Sequence, residues 1–194
     1  MPFIYIVPIE LEDHSFLETL EVLISDIFHM RTKRGEFKVN LQEVFDARRS
    51  QYNSSLVLQQ LIANPPRDAE KILGVLDMDL FIPILTFVFG EAQLGGTGAV
   101  VSMQRLHNRF YGMAEDRELT ARRLLKEAVH ELGHTFGLIH CSQPGCVMNS
   151  STYAENIDQK SSEFCPLCQK GIKKEEPPRA AHRLFTFPWW NKKD

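Results

Sequence analysis

The chain has 194 residues and a net charge of −3, with 43% hydrophobic and 24% charged residues. These values are typical of one globular domain, and the acidic balance gives no reason to expect nucleic acid, whose binding proteins usually carry a basic face. No apolar stretch approaches the roughly 18–20 residues that cross a bilayer. Met1–Ile6 lacks the basic start and the long apolar run of a secretory signal, so we expect a cytoplasmic protein with reduced thiols.

Hydrophobic periodicity and turn residues divide most of the chain into strands and helices. The predicted strands are Phe3–Ile9, Phe37–Asn40, Lys71–Leu80, Phe87–Ala92 and Ala99–Gln104. The predicted helices are His14–Met30, Phe45–Asn64 and Arg117–Phe136. Pro65 stops the second helix, and Asp116 or Thr120 is placed to cap the third. This alternation predicts an α/β fold in which a twisted, mixed but mostly parallel sheet is packed with helices.

The third predicted helix carries an unusual run of histidines in the segment His130–His140, with the sequence HELGHTFGLIH. Residues four apart lie on one face of a helix, so His130 and His134 can bind one zinc ion together. His140 would be carried to another face if the helix continued, but Gly137 tolerates a positive φ and can end it. The alternative is a surface histidine pair with an unrelated His140, which this combined spacing disfavours.

Three neutral imidazoles would leave the zinc ion with an open fourth position for water. Glu131 lies between the first two histidines in sequence but is rotated around the helix, so its carboxylate should reach that water rather than the metal. We therefore predict a metallopeptidase that hydrolyses peptide bonds through a zinc-bound water activated by Glu131. The alternative is a zinc-stabilised, non-catalytic peptide-binding protein.

All four cysteines follow this motif within a short stretch: Cys141, Cys146, Cys165 and Cys168. The last two form a Cys-x-x-Cys knuckle, and the first two form a slightly wider pair. Two such pairs favour a closed structural zinc site with four thiolates. Two disulfides and a redox-active Cys-x-x-Cys remain as alternatives, although disulfides are disfavoured under reducing conditions.

The spacing of His140, Cys141, Cys146 and Met148, followed by the distant Cys-x-x-Cys, resembles the archaemetzincins, a branch of the metzincin zinc peptidases. Three further segments are similar to core segments of that family: Arg49–Tyr52, Phe87–Ala92 and Val100–Leu106. The resemblance implies a metzincin fold, a catalytic zinc on three histidines and a second zinc on four cysteines, which makes two zinc ions per chain. It also implies a methionine-bearing turn beneath the metal, at Met148.

The order of elements in that family places the substrate along one edge strand of the sheet, where an extended peptide pairs by main-chain hydrogen bonds. The residues expected in this edge strand are Phe87, Val88, Phe89, Gly90, Glu91 and Ala92. The expected partners are therefore peptide or protein substrates, with no nucleic acid and no membrane. Tyr153 and Asn149 follow Met148, but plain polar loop positions are the favoured interpretation of both.

We expect three parts along the chain. Residues 1–137 form an upper metzincin subdomain that ends with the active-site helix, and residues 138–170 form a loop-rich subdomain that zinc holds together. Residues 171–194 contain a charged, proline-containing linker and an aromatic segment, Leu184–Trp190. Large aromatic side chains gain from burial, so we expect this segment to dock on its own chain or on a second one. The protein is expected to be a monomer, with tail-mediated self-association as a possibility.

Overall fold

The computed structural model describes residues 2–172. The strands are β1 Phe3–Pro8, β2 Thr32–Arg34, β3 Phe45–Asp46, β4 Gln51–Asn53, β5 Ala69–Leu76, β6 Leu80–Phe81, β7 Gly90–Ala92 and β8 Gly98–Ser102. The helices are α1 Ser15–Phe28, α2 Leu41–Val44, α3 Ser54–Leu61, α4 Arg117–Thr135, α5 Ala154–Gln159 and α6 Pro166–Ile172, with a 3-10 helix at Asn108–Tyr111. The prediction for Leu184–Trp190 lies outside the described residues. Within residues 2–172, no helix combines the length and apolar character needed to cross a membrane.

The main sheet has five strands in the order β2-β1-β5-β8-β7. The first four strands are parallel to one another, and only β7 runs antiparallel to its neighbour β8. The strands β1, β5 and β8 are rich in β-branched and apolar residues and are largely buried, as parallel strands covered on both faces must be. The predicted α/β fold with a mixed, mostly parallel sheet is confirmed.

The two faces of this sheet bury different sets of side chains. On one face, Ile4, Ile6 and Leu73 join a hydrophobic core with α1 and α4. On the other face, side chains from alternate strand positions, among them Val7 and Ile72, pack against α3. The alternation along each strand therefore sandwiches the sheet between two helical layers, and it places α4 next to the edge strand β7.

The predicted helix Phe45–Asn64 is wrong in its first part. Asp46 accepts hydrogen bonds from the backbone N–H groups of Arg48 and Arg49, which turns the chain into the short hairpin of β3 and β4. Asn53 then caps α3 by accepting from the N–H groups of its first turn. The helix consequently begins at Ser54, because polar side chains bind the backbone that a longer helix would have used.

Three strand predictions also need correction. Phe37–Asn40 forms no strand; the strand in this part of the chain is β2, which pairs with β1, while Asn40 caps α2. The predicted strand Lys71–Leu80 divides into β5 and β6, which belong to different sheets. Only the last three residues of Phe87–Ala92 form a strand, β7. The apolar side chain of Phe37 packs on the Tyr5 ring and does not belong to a strand.

The helix α4 is close to its prediction. Asp116 accepts a hydrogen bond from the Leu119 N–H and caps the helix, while Thr120 lies inside it. After the helix, Gly137 has a φ of 88°. The chain from 138 to 172 contains loops and the short helices α5 and α6, and it contributes Val147 and Met148 to the core that α4 shares. The division at residues 137 and 170 stays a prediction.

Candidate metal centres

The imidazole rings of His130 and His134 on α4 direct their Nε2 atoms toward one location. The Nε2 atoms of His130 and His134 lie 3.1 Å apart. Each Nδ1 atom faces a backbone carbonyl, 2.8 Å from Val147 O and 2.7 Å from Leu138 O respectively. Because a carbonyl can only accept, Nδ1 carries the hydrogen in both rings and donates it. Both Nε2 atoms therefore keep their lone pairs for a metal.

The third histidine returns to the same location after α4 ends. The left-handed φ of Gly137 lets the Leu138 N–H donate to Gly133 O, which closes the helix and reverses the chain. The ring centroid of His140 then lies 5.3 Å from that of His130 and 5.0 Å from that of His134. The predicted ligands are thus brought together, with one donor atom of each residue within 4.8 Å of the others.

This donor set fits a zinc ion. Zinc–nitrogen bonds of about 2.0–2.1 Å in tetrahedral geometry place ligand nitrogens roughly 3.3 Å apart, close to the Nε2–Nε2 distance. Burial lowers the pKa of His130 well below its ordinary value, and the nearby Lys160 charge acts in the same direction. Burial also lowers the pKa of His134 and of His140. All three rings are consequently held in the neutral form that metal binding requires.

The side chain of Glu131 extends from α4 toward the edge strand β7. Its side chain is buried and reaches Gly90, where an added Cβ atom would lie 2.6 Å from Glu131 Cγ and 2.8 Å from Glu131 Oε1. The absence of a side chain at Gly90 therefore makes room for this carboxylate. Burial raises the pKa of Glu131 well above its ordinary value; the Glu127 carboxylate adds to this rise and Lys160 opposes it.

A cleft with a volume of about 690 Å³ runs past the histidines. One wall is formed by residues 85–92, the floor by α4, and the opposite wall by Ile139, His140 and residues 150–153. Of the predicted edge strand, Gly90, Glu91 and Ala92 form β7 at the open edge of the main sheet. The preceding residues Phe87, Val88 and Phe89 line the same wall, and Val88 makes a single bridge to Leu80. Tyr153 is 66% exposed at the rim.

Met148 packs against the middle of the histidine motif. It is fully buried, and a Cβ atom added at Gly133 would lie 2.5 Å from its Sδ atom. Gly133 separates the two helical histidines, so the thioether lies under the part of α4 that presents them. This is the position that the sequence resemblance gave to a methionine-bearing turn.

The four cysteine sulfurs lie together on the far side of this turn, with their Sγ atoms within 4.8 Å of one another. The Sγ–Sγ distance is 3.8 Å for Cys141–Cys165 and for Cys146–Cys168. A tetrahedron with zinc–sulfur bonds of about 2.3 Å has edges of roughly 3.8 Å, so the cluster fits a four-thiolate zinc site. A disulfide needs an S–S distance of about 2.05 Å, which neither pair has. Backbone hydrogen bonding from Cys168 lowers the pKa of Cys165 to about 7, which favours a thiolate. Burial raises the pKa of Cys146 and of Cys168, so these two thiols would need the charge of the metal to ionise.

Comparison with known proteins agrees with this arrangement. Residues 28–174 match the family model described as Peptidase family M54. The chain belongs to this peptidase family, the archaemetzincins. It is 36% identical over 180 residues to the archaemetzincin of Pyrococcus abyssi, covering 90% of this chain and 96% of that one. The protein is therefore a zinc metallopeptidase, hence a hydrolase.

Solved archaemetzincin structures share the fold. The Methanopyrus kandleri structure matches with a TM-score of 0.78 and 32% identity, covering 88% of this chain and 93% of that one. The Archaeoglobus fulgidus structure, complexed with malonate, matches with a TM-score of 0.75 and 38% identity, covering 87% of this chain and 99% of that one. The predicted family resemblance is confirmed.

Sequence reasoning missed two charged residues beside the histidines of this archaemetzincin. Glu127 lies one turn before Glu131, and its i, i+4 spacing on the same helix was an available signal. Lys160 is 4% exposed at the end of α5, and nothing in the surrounding sequence distinguishes it from a surface lysine. Asn149, by contrast, donates to the Cys141 and Gln143 carbonyls, so its polar group supports the loop as expected.

Proposed function

We propose that this archaemetzincin hydrolyses peptide bonds with a catalytic zinc ion held by His130, His134 and His140 and with Glu131 as the general base. One observation supports this most: three neutral imidazoles converge beside a buried carboxylate at the floor of an open cleft. When bound, zinc supplies a Lewis acid that lowers the pKa of a water toward about 7 and stabilises negative charge on the scissile carbonyl.

Glu131 accepts the proton of the attacking water and passes it to the departing amine. Burial, together with the Glu127 carboxylate, raises the pKa of Glu131, so this carboxylate binds a proton more strongly than an exposed glutamate does. The wall at Gly90 holds the carboxylate against the cleft, so the side chain needs little reorganisation for proton transfer.

The edge strand offers main-chain hydrogen bonds to an extended substrate. On one side of β7, Phe89 O accepts from Ser102 N–H and Gln93 N–H donates to Gly98 O. In an antiparallel pair the alternate residues direct their N–H and C=O groups to the opposite side, so Gly90 and Ala92 face the open edge. A peptide added as a further strand would pair with these two residues and pass the histidines.

The four cysteines hold a second, structural zinc ion in this proposal, which gives two zinc ions per chain. A closed set of four thiolates leaves no position for water, so the site stabilises the loops of residues 138–170 instead of catalysing a reaction. Residues 1–137 then form the upper subdomain, with the cleft lying between the two parts. Met148 supports the histidines from below by packing on α4.

The test is the substitution Glu131→Gln, which keeps the size of the side chain but removes the base. A general base contributes about 10²- to 10⁴-fold, so we expect hydrolysis of a responsive peptide to fall at least about 100-fold. The zinc content should stay at two ions per chain. Glu118→Gln is the matched control, because Glu118 lies on the exposed face of the same helix. Near wild-type hydrolysis by Glu131→Gln would refute the role of Glu131.

A non-catalytic, zinc-stabilised peptide-binding protein is the other outcome of this experiment. Under that function the fully zinc-loaded wild type would bind peptides in the cleft without cleaving any member of a peptide library. Cleavage products from the wild type, with none from Glu131→Gln, would exclude it.

A further inference from the structure

A buried ion pair lies beneath the histidines. Lys160 Nζ is 2.8 Å from Glu127 Oε1, and the side chains of Lys160 and Glu127 are only 1% and 4% exposed. Burying two charges is costly unless they are paired and hydrogen-bonded. The proposed mechanism gives neither side chain a chemical step of its own, although both charges act on the pKa of Glu131.

The pair joins two parts of the chain that present the first histidine. Glu127 lies on α4, three residues before His130. Lys160 Nζ also donates to Asn149 O at 3.1 Å and lies 3.5 Å from His130 Nδ1. Asn149 immediately follows Met148, so the ammonium group holds the Met148 turn against α4 by one ion pair and one hydrogen bond.

The orientation of the His130 ring depends on the same turn. His130 Nδ1–H donates to Val147 O at 2.8 Å, and Val147 precedes Met148. Carbonyl partners of this kind fix the tautomer and the direction of a metal-binding imidazole, and their loss typically costs about 10- to 100-fold in metal affinity. Any movement of residues 147–149 away from α4 would therefore turn the His130 ring.

We propose that Lys160 and Glu127 are positioning residues for the catalytic zinc site, because their ion pair holds residues 147–149 in place and thereby orients His130. This rests on the proposed function in one respect, namely that His130 is a zinc ligand. Glu127 has a second, electrostatic role in the zinc site. A lone ammonium group beside His130 would repel a divalent cation, and the Glu127 carboxylate offsets that repulsion.

Lys160→Met tests the positioning role, since it keeps an unbranched side chain only one atom shorter and removes the charge and the donors. The matched control is Lys126→Met. Lys126 also links α4 to α5, by donating to Ile157 O at 3.0 Å and Asp158 O at 3.2 Å, but within residues 2–172 it has no hydrogen bond to a histidine. Two readouts other than activity are measured on the full chain: zinc affinity of the histidine site by chelator competition, and the visible spectrum after cobalt(II) replaces zinc there.

Removing the ammonium charge by itself favours a cation, so weaker zinc binding in Lys160→Met would come from lost positioning of His130. We expect zinc binding at the histidine site to weaken by about 10- to 100-fold and the cobalt spectrum to change. The cysteine-bound zinc should be retained. Lys126→Met should leave the affinity and the spectrum at wild-type values, even where it lowers the melting temperature. Wild-type affinity and spectrum in Lys160→Met would overturn the proposal, as would an equal loss of affinity in both variants.

Glu127→Gln keeps the proposal testable if Lys160→Met does not fold. This change preserves size and hydrogen-bonding capacity but leaves the ammonium group uncompensated, so the histidine site should bind zinc at least about 10-fold more weakly. Unchanged affinity would contradict the role of the pair. A wild type that binds zinc at the histidines yet cleaves no peptide would contradict the proposed function alone, and the positioning role would still be measurable.

Discussion

The edge strand approaches Glu131 closely at Gly90, and this makes Gly90→Ala a sharp test. An added Cβ atom at Gly90 would lie 2.6 Å from Glu131 Cγ, 2.8 Å from Glu131 Oε1 and 2.6 Å from Val100 O. Ordinary van der Waals contacts of a Cβ atom begin at 3.4 Å. Because Val100 O is a backbone atom of β8, strand β7 must shift against β8 by about 1 Å, and the Glu131 carboxylate must move as well.

A displacement of that size is large for catalysis and small for the fold. Misplacing a catalytic group by about 1 Å can cost about 10²-fold in rate, which corresponds to roughly 2.7 kcal/mol in the activation barrier. We expect kcat/KM to fall by about 100-fold. Zinc content should not change, because the three nearest atoms to the added Cβ belong to Glu131 and Val100 and not to a histidine.

The assay compares kcat/KM, zinc content and melting temperature of Gly90→Ala with those of Gly112→Ala. Gly112 follows the 3-10 helix, does not line the cleft, has a φ of 72° and meets no described heavy atom within 4 Å of an added Cβ. Its substitution should cost about 1–2 kcal/mol of stability through the left-handed backbone but should leave kcat/KM unchanged. Near wild-type kcat/KM in Gly90→Ala at full zinc occupancy would refute the reasoning.

Two further predictions concern stability. Structural zinc sites contribute apparent binding free energies of about 10–16 kcal/mol, so Cys165→Ser should give insoluble protein or a large loss of thermal stability. His134→Ala should lose only the catalytic zinc. Equal, mild shifts in the melting temperatures of the two variants would contradict this division. His107 is buried, which by itself lowers its pKa, but the Asp77 carboxylate, 3.3 Å from its Nε2, and a hydrogen bond with Glu115 outweigh burial and raise the pKa. The stabilisation from His107 should be complete below its unfolded-state pKa of about 6.5 and should be lost as pH rises through its folded-state pKa. In denaturant titrations, the difference in unfolding free energy between wild type and His107→Asn should therefore shrink with rising pH. A pH-independent difference would contradict this prediction.

The fold was predictable where a local pattern dominates. The apolar strands β1 and β8 and the amphipathic helices α1 and α4 follow from periodicity, and the helix cap at Asp116 follows from residue type. The histidine motif was predictable because a helix and a glycine-dependent turn fix its geometry within eleven residues of sequence. These are features in which neighbours in sequence are also neighbours in space.

The errors have local and distant causes. The segment Phe45–Asn53 has helical periodicity, but the turn at Asp46 and the pairing of Tyr52 with Leu80 of β6 make part of it a hairpin. Lys160 and Glu127 are 33 positions apart, and neither periodicity nor composition links them. A lysine is usually exposed, so its burial at this position could be learned only from the three-dimensional structure.

The two proposed metal sites are physically coupled through one short loop. Cys141 follows the ligand His140 directly, and Cys146 precedes Val147, whose carbonyl accepts from His130. Cys141 N–H also donates to Met148 O at 2.9 Å, which closes the loop on itself. A zinc ion that fixes both cysteines therefore fixes the two backbone positions on which the histidine site depends. Because His140 and Cys141 are adjacent, zinc at either site favours zinc at the other by the same factor. The two sites still differ in how well each survives alone, because four thiolates form a closed site whereas three imidazoles leave an open position. A chain that has lost the cysteine zinc should therefore hold the histidine zinc weakly, whereas a chain that has lost the histidine zinc should keep the other.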